Sequence, residues 1–129
     1  MNTSAEEIDY FDYSVLSNTA FLLPFVLAVL AGVYWFAVVS LATFVFSSLW
    51  HLYKTDFLKL ADLFCAYLLI FSNVYLGFIL RFDLLNVSLA VSFIAIGLLY
   101  FFRQNSKNYE IYHSVWHLLC AVGTAFLLI

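Results

Sequence analysis

Apolar runs of about 20 residues, the length that crosses a hydrocarbon core roughly 30 Å thick, follow one another along this chain with only short polar breaks between them. Inside lipid a backbone has to satisfy its own hydrogen bonds, so runs of this length read as helices. Five spans are expected, over about residues 14–33, 35–53, 57–80, 84–102 and 109–129. Pro24 falls inside the first as a kink, and Gly32 makes a tight turn into the second. Polar breaks at 54–56, 81–83 and 103–107 separate the others. The expected architecture is an all-α integral membrane protein: a compact bundle of about five transmembrane helices in a single domain over 14–129, preceded by an acidic tail over 1–13.

Composition agrees with that reading and removes several others. Charged residues make up 10% of the chain and hydrophobic ones 66%, against about 25% charged in an ordinary soluble domain. The net charge of -3 comes largely from Glu6, Glu7, Asp9 and Asp12, which leaves no basic face for a nucleic acid. An acidic, tyrosine-rich start is not the basic start of a signal peptide, so the first apolar run is expected to stay as a span. Cys65 and Cys120 lie in separate runs without paired spacing and read as small apolar residues.

Five spans put the loops at 54–56 and 103–107 on one side of the bilayer with the tail, and the loop at 81–83 on the other. His51 ends the second span, Asp62 lies near the start of the third, and His113 and His117 occupy the first turns of the fifth. Alternation of direction brings all four to one leaflet at a similar depth, which points to a single site. Lys54, Lys59, Arg103 and Lys107 fall on the site side and only Arg81 on the other, which by the positive-inside rule makes the site side cytoplasmic. Trp50, Tyr53, Tyr109, Tyr112 and Trp116 suit an interfacial aromatic belt.

His113 and His117 are four residues apart and share one helix face. Ionisable side chains within a span are costly unless something binds them. A catalytic zinc typically takes three protein ligands and keeps a fourth position for water, and His51, His113 and His117 fit that count. Asp62 could hydrogen-bond that water and take its proton, or act as a further ligand. Ser47, four residues before His51, shares its face and could orient the water or Asp62. Structural alternatives stand beside each assignment: a packing histidine at 51, an Asp62 ion pair with Lys59 one turn earlier, and a plain packing hydroxyl at Ser47. Asn18, Asn73 and Asn86 read as interhelical hydrogen-bond formers.

Ser47-x-x-x-His51 at the end of one helix, Asp62 early in the next and His113-x-x-x-His117 in the last resemble the CREST-type superfamily of membrane hydrolases, which includes alkaline ceramidases and the adiponectin and progestin receptors. Asn108-Tyr109 leading into His113-Ser114-Val115-Trp116-His117-Leu118, the terminal Ala125-Phe126-Leu127-Leu128, and Leu16-Ser17-Asn18 with Phe21 and Pro24 look closest to its myomaker branch. The resemblance implies zinc on His51, His113 and His117, Ser47 and Asp62 at the metal-bound water, and cleavage of an acyl bond in a lipid. It also implies an exoplasmic site, opposite to the charge count. The chain has room for five spans where that family has seven, which bears on the lipid pocket.

Three functional expectations follow. The first is a zinc-dependent hydrolase of a lipid amide or ester bond, with a membrane lipid as substrate. The second is a non-enzymatic small membrane subunit that uses the metal as a structural clasp within a larger complex. The third is a haem held between His51 and His117, which leaves His113 and Asp62 unused.

Overall fold

The computed structural model describes residues 13–129, so the acidic residues of the expected tail lie outside the described residues. The described chain is all-helical. Its first body is a short helix α1 (Tyr13–Asn18), a 3-10 turn (Thr19–Phe21) and a second helix α2 (Leu22–Leu30). The remaining helices are α3 (Tyr34–Tyr53), α4 (Asp56–Tyr75), which runs on through a π turn (Leu76–Leu80), α5 (Leu84–Arg103) and α6 (Tyr109–Phe126).

Each boundary has a local cause. Pro24 has no N–H to offer and its ring crowds the carbonyl of Ala20; the chain tightens into the 3-10 turn immediately before it, where the expected kink falls. Gly32 adopts φ +72°, and its N–H bonds to Val29 at 3.1 Å while Val33 N–H reaches Ala28 at 2.8 Å. That bond pair is the Schellman motif, which needs a left-handed residue at this position. Lys54 ends α3 in the left-handed region at φ 46°, its N–H on the Trp50 carbonyl. Thr55 then caps α4 by accepting from Leu58 N–H at 3.3 Å, so the reversal takes two residues. Asp83 caps α5 in the same way through Asn86 N–H at 2.9 Å. The last loop is knotted by its own asparagines, with Asn105 N–H on Asn108 Oδ1 at 2.7 Å and Lys107 N–H on Asn105 Oδ1 at 2.9 Å.

Among the described residues, four helices are long and apolar enough to cross a membrane: Tyr13–Leu30, Tyr34–Tyr53, Asp56–Leu80 and Leu84–Arg103. Their outward faces carry Leu30, Phe57, Phe64, Phe71, Leu84 and Phe102, all largely exposed, a surface that only lipid can solvate. These features define a multi-pass membrane protein. The fifth expected span, α6, is 18 residues long but its apolar content is diluted by Glu110, His113 and His117. Much of it is covered by protein: α6 packs against α5 most extensively, and against α1 and α2 on its other side, leaving Ile111 and Leu118 exposed. Gly123 permits the α5 contact, since a Cβ there would lie 3.0 Å from the Ala90 carbonyl oxygen and 2.9 Å from Ile94 Cγ1. Helix α3 packs against α2 and α4, and barely approaches α6 along its backbone.

The two ends of the bundle differ. At one end lie the α3–α4 turn, the 104–108 loop and the start of α6. At the other, Arg81 donates through Nη1 to the Leu128 carbonyl at 2.9 Å, and Asn73 Nδ2 donates to Thr124 Oγ1 at 3.0 Å, joining α4 to α6. Asn73 therefore forms the interhelical bond expected of it. Asn86 does not stand as an interhelical link; it lies in the first turn of α5 beneath the Asp83 cap. Cys65 and Cys120 are both free and buried.

Candidate metal centre

The three histidines meet at the first of these ends. His51 comes from the last turn of α3, His113 and His117 from the first half of α6. One ring nitrogen from each lies within 4.8 Å of the other two. The ring centroids are 4.9 Å apart for His51 and His113, 5.6 Å for His51 and His117, and 4.5 Å for His113 and His117. Donors on a tetrahedral ion with bonds of about 2.0 Å stand about 3.3 Å apart, so small side-chain rotations close the cluster. Such an arrangement can hold a metal ion. Burial favours it as well, because His51 is 5% and His117 4% exposed.

The Nδ1 atoms of the two α6 histidines are engaged, and their partners fix the tautomers. His113 Nδ1 lies 3.1 Å from Gln104 Oε1; that oxygen only accepts, so Nδ1 carries the proton and Nε2 keeps its lone pair. His117 Nδ1 lies 2.9 Å from Ser17 Oγ, and the Ser17 hydroxyl donates onward to the Ser14 carbonyl at 3.0 Å. With that hydroxyl proton committed, the Ser17 oxygen accepts from His117 Nδ1–H. Both α6 histidines are thus set to present Nε2, the arrangement that outer partners impose on metal-ligating histidines. Tyr109 stacks on His113 at 4.8 Å and 19°, and Phe21 meets the His117 ring edge-on at 5.8 Å.

Ser47, one turn before His51 on α3, and Asp62 come together. Ser47 is buried and hydrogen-bonds the half-buried Asp62 carboxyl across the α3–α4 interface. Asp62 is not part of the converging donor group, which among the described residues comprises the three histidines. Lys59, the structural partner considered for Asp62, instead sets its Nζ over the Trp50 ring, 5.9 Å from the centroid. Trp116, expected in an interfacial belt, packs on Phe101 at 5.4 Å, while Tyr109 stacks on His113 and keeps part of its surface exposed. The haem geometry finds no room, since the His113 ring stands within 4.9 Å and 4.5 Å of the two rings that would flank the macrocycle.

Two site residues went unassigned in the sequence. Ser17 was legible in principle: Ser14, Ser17 and Asn18 are the polar positions of one helix face in an apolar run, the same spacing that marks the histidine pair. Gln104 was not, because it sits in a loop and no periodicity ties it to His113. Among known proteins, no family model, no curated protein and no solved structure matches the chain.

Proposed function

We propose that this protein binds zinc through His51, His113 and His117 and hydrolyses an amide or ester bond in a membrane lipid. The observation that carries the reading is the convergence of three buried histidines, two of which, His117 and His113, have Nδ1 already committed to Ser17 and Gln104. Neutral imidazoles facing one another across an apolar interior gain nothing without a cation. Three nitrogen ligands with a further position open is the donor set of a catalytic zinc, and the ion supplies a Lewis acid for a carbonyl and a lowered pKa for water.

The chain's own residues have separable tasks. Ser17 and Gln104 hold the α6 imidazoles in the ligating tautomer. Asp62, outside the donor group, takes the proton of the attacking water at a carboxylate oxygen and passes it to the leaving group. Ser47 orients that carboxyl. The apolar faces of the bundle accommodate acyl chains, and the half-buried position of Asp62 lets a polar lipid linkage approach from the membrane side. The excess of Lys and Arg at this end supports a cytoplasmic orientation of the site.

A structural clasp is the second reading. It is favoured by the weak backbone approach of α3 to α6, which leaves the histidines as the principal link between those helices at this end. Metal analysis, an optical spectrum and a lipid-release assay on the purified protein in lipid separate the outcomes. One zinc per chain, no Soret band and acyl release that stops on chelation support hydrolysis; zinc without release for any amide- or ester-linked lipid leaves the clasp, and a chain purified without metal that takes up none sinks both.

A further inference from the structure

Asn18, the last residue of α1, is fully buried, and neither its Nδ2 nor its Oδ1 meets a hydrogen-bond partner. An amide offers two donors and an oxygen with two lone pairs, and enclosing all of them unmet is among the costliest arrangements in an apolar interior. Ser40 and Ser48 also have buried hydroxyls without partners. Those carry little, because a single torsion turns a helical hydroxyl onto the carbonyl four residues back, as Thr43 does to Val39 and Ser92 to Ser88. No single rotation satisfies an amide. Asn73 is the intermediate case, its Nδ2 donating to Thr124 across the bundle while its Oδ1 has no partner; at Asn18 both amide atoms are unmet.

The position of Asn18 indicates what it holds. Helix α1 packs against both α3 and α6, the two helices that carry the histidines. Counting back from the turn at Gly32 sets Asn18 level with Ser47, and its chain neighbour Ser17 bonds His117. Ser14, one turn earlier on the same face, is also fully buried. We propose that Asn18 binds an enclosed water molecule at the junction of α1, α3 and α6, one layer behind the histidine cluster. A lipid headgroup is too large for a side chain closed to the outside. Water both donates and accepts, and buried water typically makes about three bonds to otherwise unmet polar groups. This site requires neither the metal nor hydrolysis.

The test is an experimental map of the full chain in nanodiscs at a resolution that shows ordered water, recorded with metal bound and after chelation. Density about 2.7–3.2 Å from Asn18 Oδ1 or Nδ2 in both states is expected. An amide without such density, or one bonded only to protein, overturns the proposal. Asn18→Leu gives an independent reading by unfolding in SDS: evicting a bound water lowers the folding equilibrium constant by roughly tenfold, whereas a Leu variant more stable than the wild type shows that the amide was dry and also overturns it. The wild-type map decides even where the variant does not fold. Bound metal is measured in the same samples, so a dry Asn18 in a chain that holds its zinc sinks the water site and leaves the proposed function standing.

Discussion

Helix α6 has two faces that solve different problems. Toward α5 it is dry and close: Gly123 lies against the Ala90 carbonyl, and Gly97 of α5 receives Trp116, with a Cβ there 3.1 Å from the indole. Toward α1 and α3 its first half is polar, with His117 buried against Ser17 and both His113 and His117 facing His51. Small residues that let backbones approach are how membrane helices associate when lipid is as apolar as the side chains. The α5 face is therefore sufficient to hold α6 in place. The polar face adds nothing that packing requires and costs desolvation, so its residues point to a ligand rather than to the fold.

That contrast can be broken from either side. The largest effect is expected on the polar face: His51→Ala, His113→Ala and His117→Ala, made singly, each abolish stoichiometric metal in protein that stays folded, as read by elemental analysis. Full occupancy in any of the three removes that residue from the ligand set. Asp62→Asn is expected to abolish lipid turnover or to weaken metal binding by about 10- to 100-fold, while Lys59→Gln, whose ammonium lies over Trp50, stays near the wild type. Equal small losses from both would restore the ion-pair reading of Asp62.

Ser17→Ala and Gln104→Ala sharpen the comparison. Each releases one imidazole from its tautomer and is expected to weaken metal binding by roughly 10- to 100-fold in a competition titration, with the metal-free protein destabilised by only about 1–3 kcal/mol through the ring N–H left unpaired. On the dry face the signs reverse. Gly123→Val forces a side chain onto the Ala90 carbonyl and is expected to cost about 1–3 kcal/mol of stability in SDS unfolding, with metal affinity unchanged in the folded fraction. A Gly123 variant that loses metal before it loses stability would show that the two faces are coupled.

The sequence showed most of the fold and one layer of the site, for separate physical reasons. Long apolar runs and their polar breaks located every helix to within a few residues, because lipid leaves the backbone few alternatives. The histidine cluster was legible because helix periodicity and the alternation of spans are both global constraints. What stayed hidden was set by side-chain choice at short range. Lys59 turning to Trp50 rather than to Asp62, and Gln104 reaching back from a loop to His113, depend on rotamers and loop shape that no spacing encodes. Asn18 shows a third case, in which the helix face was right and the expected interhelical partner is missing.

The turn in the first span has a consequence for assembly. Thr19–Phe21 form a 3-10 turn between α1 and α2, and the six residues of α1 pack against both α3 and α6. Ser17 bonds the His117 ring across 100 positions of sequence, so the outer partner of that imidazole is in place only once α1 has docked on α6.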